Sequence, residues 1–256
     1  MENLFQRFSN PPSFNIQKIL KFNDVKPSTQ RHLKNVYTTL FAGVVAAAFG
    51  AYIHLMFHVG GLLTCIATAF TLGYLGTTRN ENIYDNAVFQ KRLGIFLGFC
   101  ALKGMSIGSL VESSLYLDPA IPLIAFIGTV IVFGCFSFSA LVAKRRSYLY
   151  ISGFLSSAMS LMFFMSLANI FFQSSAMYNV QIYVGLVLFS GYVIVDTQMI
   201  VEKAENGEKD YLWHAAELFT DFVAIFIRIL IILMRNARRN GGRRRDEDDR
   251  RRRNRW

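Results

Sequence analysis

Seven long apolar stretches follow one another along the chain, at about residues 36–57, 61–78, 93–115, 119–142, 148–171, 180–200 and 211–234. A helix needs roughly 20 mainly apolar residues to cross the hydrocarbon of a bilayer, so each stretch predicts a transmembrane helix. The second is the shortest and the seventh the most polar. Connections of at most about 15 residues leave no room for an extramembrane domain. The pattern predicts an all-α membrane protein, a polytopic seven-helix bundle over 36–234. A polar segment at 1–35 precedes it and an Arg-rich tail at 235–256 follows it.

Polar residues inside these stretches carry the information about function. Asp196 lies in GLVLFSGYVIVDTQMIV and Asp221 in YLWHAAELFTDFVAIFIRILIILM, the sixth and seventh segments. A carboxylate at membrane depth costs a few kcal/mol on insertion scales, so it faces protein or water and marks a functional candidate. If segments six and seven are neighbours, the two acids can meet. Two close carboxylates cannot both ionise cheaply, so they would share a proton and titrate as one coupled pair. Losing that proton could open a path or create a transient Ca²⁺ site, because hard cations take carboxylate oxygens. Asp196 also has a simpler reading, as a helix-end carboxylate at the interface.

On a helical projection of segment seven at ~100° per residue, Asp210, His214, Glu217, Asp221 and Arg228 fall in a stripe about 60° wide. Such a stripe would line an aqueous path or a protein-filled centre. His214 near the segment's start suits an interfacial role as well as a proton relay. Arg228 could serve Asp221 or snorkel to headgroups. Lys103 in mid-segment three could pair with an acid or snorkel, and Glu112 near that segment's end reads as interfacial or ion-binding.

Composition agrees with a membrane bundle: 53% of the 256 residues are hydrophobic and 17% charged, with 24 Phe. The net charge of +10 is concentrated in the tail, where residues 235–256 hold 11 Arg against 4 acids. A basic tail beside a membrane segment fits anionic headgroups or a trafficking signal, through Arg243, Arg244, Arg245, Arg250, Arg251, Arg252 and Arg253. No nucleic-acid motif accompanies it. Cys65, Cys100 and Cys135 all fall in apolar segments, so no disulfide framework is expected, and no Cys/His spacing predicts a stable metal site or a cofactor. The first 35 residues lack a leading apolar region, so no cleavable signal peptide is expected. Metalloprotease, nucleophile-elbow and phosphate-loop motifs are absent, and neither aspartate has an intramembrane aspartyl-protease context, so no enzyme is expected.

Loop charges predict orientation. Arg7, Lys18, Lys21, Lys26, Arg31 and Lys34 precede segment one, and Arg79, Lys91 and Arg92 lie between two and three. Lys144, Arg145 and Arg146 lie between four and five, and Lys203 and Lys209 between six and seven. The connections near His58–Gly60, Asp118 and Gln173–Asn179 have no Lys or Arg. By the positive-inside rule the N-terminus is cytosolic. Seven crossings then leave the Arg-rich tail on the far side, against the same rule, unless segment seven is re-entrant. Asp118-Pro119 predicts a capped start to segment four, and Gly43, Ala47 and Ala51 predict a close-packed helix face.

Three passages carry a resemblance: PSTQRHLKNVY (27–37), GTVIVFGCFSFSALVAKRRSYLYISGFLSSAMSLM (128–162) and IYVGLVLFSGYVIVDTQMIVEKAENGEKDYLWHAAELFTDFVAIF (182–226). In these, over about residues 14–234, the chain resembles the Bax inhibitor-1 branch of the transmembrane Bax inhibitor motif family. The resemblance implies six helices around a central seventh. It also implies residence in the endoplasmic-reticulum membrane, suppression of apoptosis and a pH-sensitive Ca²⁺ leak. The family's proton-sharing aspartates fall on Asp196 in VDTQ and Asp221 in FTDF, and Glu112 in SLVESS falls on an acidic position of the animal members. Read from their positions, Glu112, His214, Glu217 and Arg228 are the candidates to support the pair. Partners would be the lipid bilayer, Ca²⁺, H⁺ and Bcl-2-family proteins. Two departures stand out: segment two carries no basic residue between His58 and Arg79, and RRRDEDDRRRRNRW replaces a short Lys-rich tail.

Two functions of different kind follow. One is a pH-gated Ca²⁺ leak built on the aspartate pair. The other is a membrane scaffold that restrains pro-apoptotic or stress-signalling partners, with the carboxylates structural.

Overall fold

A computed structural model describes residues 27–78, 85–142 and 148–253, with side chains except at 148–150 and 241–253. The described residues form seven helices in chain order: α1 Pro27–Phe57, α2 Leu62–Thr77, α3 Asn86–Leu117, α4 Ala120–Val142, α5 Tyr148–Phe172, α6 Ser175–Glu205 and α7 Tyr211–Arg253. Five of them (α1, α3, α4, α6 and residues Ile151–Phe172 of α5) are long and apolar enough to cross a membrane. The chain is a multi-pass membrane protein. Helix α2 has 16 residues and falls short of that length. In α7, Glu217, Asp221 and Arg228 interrupt the apolar run.

Several helices outrun their apolar stretches. Helix α1 starts at Pro27, α3 at Asn86 and α6 at Ser175. Lys91 and Arg92 are therefore helical rather than loop residues, and most of the segment read as a loop over 173–179 is the first turn of α6. Local capping fixes the starts of α3, α4 and α7. Asp85 Oδ1 accepts from Ala87 N (3.0 Å), Asp118 Oδ1 from Ala120 N (2.9 Å) and Asp210 Oδ1 from Trp213 N (3.3 Å). The carboxylate expected to open segment four does so.

Helix α7 is the central element. It packs against α1, α3, α4 and α6, while α2 rests chiefly on α3 and α5 chiefly on α6. Its Leu218, Phe219 and Ile225 are fully buried within the main core cluster. Large apolar side chains such as Phe154, Phe163, Phe171 and Phe172 point outward from α5, as a lipid-facing surface requires. Helices α1 and α3 approach to backbone contact. A Cβ at Gly50 would overlap the Ala101 carbonyl, and one at Gly104 would overlap the Ala47 carbonyl. Gly43 and Ala47 thus belong to a tight face as expected, joined by Gly50 on the same helix and by Gly104 on α3.

Helix α7 runs unbroken through the bundle. Its His214 meets His32 near the start of α1, and its Met234 packs with Ile121 and Ala125 at the start of α4. Those two starts lie at opposite ends of the bundle, so α7 crosses the full depth and does not double back. The chain beyond Met234 therefore leaves at the end opposite Pro27. The tail arginines Arg243–Arg245 and Arg250–Arg253 have side chains outside the described residues.

Candidate functional site

The turn between α6 and α7 folds the last helix back along the sixth. Asn206 N donates to Glu202 O (3.0 Å), Glu208 N to Lys203 O (2.9 Å), and Gly207 takes φ +96°, a conformation that favours glycine. This reversal brings the polar stripe of α7 against α6, α1 and α3. Each polar residue then finds a protein partner, as a polar group at membrane depth needs.

Nearest the helix start, Arg92 of α3 and Asp210 form an ion pair, with Nη2 donating to Oδ2 at 2.6 Å. Arg92 is 0% exposed. Next, His32 Nε2 and His214 Nδ1 lie 2.9 Å apart, so one ring supplies a proton and the other a bare nitrogen. His214 is 0% exposed, a core residue rather than an interfacial one. A turn further on, Trp213 Nε1 donates to Glu217 Oε1 (2.7 Å), and Lys203 Nζ approaches the same carboxylate at 3.7 Å.

Asp196 and Asp221 meet below this layer. Their carboxyl groups lie within hydrogen-bonding and electrostatic reach of each other. Neither carboxylate has a proton to donate, so a hydrogen bond between them requires one added proton. Asp221 is 5% exposed, and its Oδ2 has no hydrogen-bond partner among the described residues. Lys203 lies within electrostatic reach of Asp196, and Glu217 of Asp221. Aromatic side chains flank the pair on α7. Phe219 packs edge-on against Phe99 and Phe222 against Phe133, both with ring centroids 5.6 Å apart.

Two supporting residues stand elsewhere. Arg228 does not reach Asp221; its Nη1 donates to Ala224 O (2.8 Å) and its guanidinium lies 4.2 Å from the Phe189 ring centroid. Glu112 sits at the other end of the bundle with His54 and His58. Lys103 is half-buried on α3 and has no ion-pair partner among the described residues. Sequence reasoning missed His32, Arg92 and His54. A signal for Arg92 existed: it shares spacings of three and four with Phe96, Phe99 and Cys100, the buried face of α3.

Residues 29–239 match the family described as "Inhibitor of apoptosis-promoting Bax1". This span holds every member of the cluster and stops short of most of the tail. The chain is 43% identical to Bax inhibitor 1 of Sus scrofa over 236 residues, covering 91% of this chain and 96% of that protein. It is 41% identical to Bax inhibitor 1 of Homo sapiens, with the same coverage of both. A plant relative, Bax inhibitor 1 of Arabidopsis thaliana, is 43% identical over 88% of this chain and 89% of its own length. The chain belongs to the Bax inhibitor-1 family.

Proposed function

We infer that this protein suppresses apoptosis from the endoplasmic-reticulum membrane and acts there as a pH-sensitive Ca²⁺ leak gated by Asp196 and Asp221. Suppression of cell death rests on family membership, since the relatives are named for inhibiting Bax. The gate rests on the carboxyl–carboxyl contact at membrane depth, with one oxygen of Asp221 unpartnered.

One proton bridges the pair and holds α6 against α7. When it leaves, the two like charges repel; unit charges ~4 Å apart do so by about 4 kcal/mol at an effective dielectric near 20. That repulsion pushes the helices apart at the Gly207 turn and offers two acidic ligands to a passing Ca²⁺. The edge-on Phe99–Phe219 and Phe133–Phe222 contacts close the path in the protonated state. Residues 1–35 face the cytosol, so the pair senses cytosolic pH. Reconstitution of the purified chain in liposomes, with Ca²⁺ flux measured across a pH series, tests the reading. Flux that rises with pH supports it. Ca²⁺ tightness at every pH refutes the leak and leaves a scaffold that restrains Bcl-2-family partners, which co-purification with such partners would then detect.

A further inference from the structure

His54 and His58 lie at the end of α1, and Glu112 faces them from the later turns of α3. His54 Nε2 is 3.4 Å from Glu112 Oε2, and His58 Nδ1 is 3.5 Å from Glu112 Oε1. One ligand atom from each residue can be chosen so that all three lie within 4.8 Å of one another. We propose that these three side chains form a binding site for a divalent transition metal of the Zn²⁺ type.

The ligand chemistry selects the ion. Two imidazole nitrogens and one carboxylate oxygen make an open zinc-type set, with a fourth position left for water. Bonds of about 2.0–2.1 Å in a tetrahedron put neighbouring ligand atoms roughly 3.3–3.4 Å apart. Each histidine already stands near that spacing from one Glu112 oxygen, His54 from Oε2 and His58 from Oε1. With a single oxygen chosen, all three ligand atoms lie within 4.8 Å of one another, so a small closure completes the set. Ca²⁺ and Mg²⁺ prefer all-oxygen shells, so the imidazoles discriminate against them.

The surroundings are shaped for the rings. His54 is 5% exposed, and glycines make room for it: a Cβ at Gly108 or at Gly60 would overlap its side chain. Its Nδ1 has no hydrogen-bond partner among the described residues, so the carboxylate at Nε2 is what orients the ring. His58 leaves the helix at φ +51°, a left-handed conformation, while its N–H still closes on His54 O at 2.7 Å. Its side chain is 68% exposed, which gives an ion a way in. Tyr116 donates its hydroxyl to Glu112 Oε1 at 3.3 Å, a partner that steadies the carboxylate.

The cluster is distinct from the aspartate pair. His54 lies 22 residues along α1 from His32, roughly 33 Å away at 1.5 Å per residue. A bound metal ties the α1–α2 connection to α3 at that far end. Its presence or absence is independent of any Ca²⁺ leak.

Metal titration of the full-length chain, purified in detergent without a polyhistidine tag, tests the proposal. Co²⁺ should bind one per chain with the visible absorption of a tetrahedral site, and Zn²⁺ but not Ca²⁺ should displace it. His58→Asn suits the left-handed backbone, and Glu112→Gln keeps the side-chain shape. Loss of a direct ligand should weaken Zn²⁺ at least as much as loss of an orienting partner, so each should lower affinity about tenfold or more. The double variant should lose the Co²⁺ spectrum while keeping its helical circular dichroism. X-ray absorption of the Zn²⁺-loaded wild type, which needs no variant, should show imidazole and oxygen ligands without sulfur. No Co²⁺ binding to the wild type, equal affinity in wild type and double variant, displacement by Ca²⁺, or a sulfur ligand would each overturn the site.

Discussion

Asp221→Asn is the sharpest perturbation of the proposed gate. The side chain is 5% exposed and touches Asp196, so an isosteric amide keeps the packing and removes one ionisable group. In the wild type, deprotonating the pair sets two like charges against each other; about 4 kcal/mol, the value for unit charges ~4 Å apart at an effective dielectric near 20, would change the ratio of closed to open helices by about a thousandfold. With Asn at 221 that repulsion never develops. The amide N–H can donate to Asp196, so the contact no longer needs an added proton. Ca²⁺ flux from liposomes should then stay near its low, proton-bound level across the whole pH series, while the wild type responds to pH. Asp196→Asn should behave alike. Because the two act as a unit, Asp196→Asn with Asp221→Asn should add little to either single change. A wild-type-like pH profile in Asp221→Asn, or independent and additive effects of the two substitutions, refutes the shared-proton gate.

Other consequences follow from the same packing. Arg92→Met leaves Asp210 buried without its cation and should destabilise the bundle by about 3–5 kcal/mol; adding Asp210→Asn should restore part of that, read by thermal unfolding in detergent. Gly104→Val forces a side chain against the Ala47 carbonyl, which cannot yield as a side chain can, and should cost at least about 1–3 kcal/mol in the same assay. A cysteine at Ser28→Cys and one at Asn240→Cys should label from opposite faces of sealed vesicles with an impermeant maleimide. Labelling from the same face would refute an α7 that crosses the whole bundle.

What the sequence carried and what it withheld divide along a physical line. Apolar periodicity is local, so seven helices were legible from seven apolar stretches. Asp196 and Asp221 were legible as a pair because a short turn joins their helices, and adjacency in sequence makes adjacency in space the default. The stripe of α7 was legible for the same reason, since 3.6-residue periodicity is a property of one helix. Partners across the bundle were not. His32 meets His214 at 182 residues' separation and Arg92 meets Asp210 at 118, and no local spacing encodes either meeting. Arg92 was further disguised by Lys91 beside it, a dibasic step that imitates a cytosolic flank. His214 read as interfacial because it stands near its helix start, yet α1 extends to Pro27 and covers it.

That extension explains why the polar residues collect on α7. A polar side chain on a peripheral helix would face lipid over much of its circumference. The central helix is enclosed by α1, α3, α4 and α6, so each polar group on it can be satisfied by protein. Helix α5, which packs chiefly on α6, accordingly has an outer face of Phe154, Phe163 and Phe171. The enclosure is not uniform along α7. Its first half, from Asp210 to Asp221, pairs with Arg92, His32, Lys203 and Asp196, while its second half buries Phe222, Val223, Ile225 and Leu230. A proton lost at Asp196–Asp221 therefore acts at the boundary between a polar half and an apolar half. Below that boundary α7 is held by shape and aromatic contact; above it, by ion pairs and hydrogen bonds that depend on charge. In the proposed gate, a change of charge at this boundary moves α7 against α6 about the Gly207 turn and loosens the adjoining Phe99–Phe219 and Phe133–Phe222 contacts that close the path.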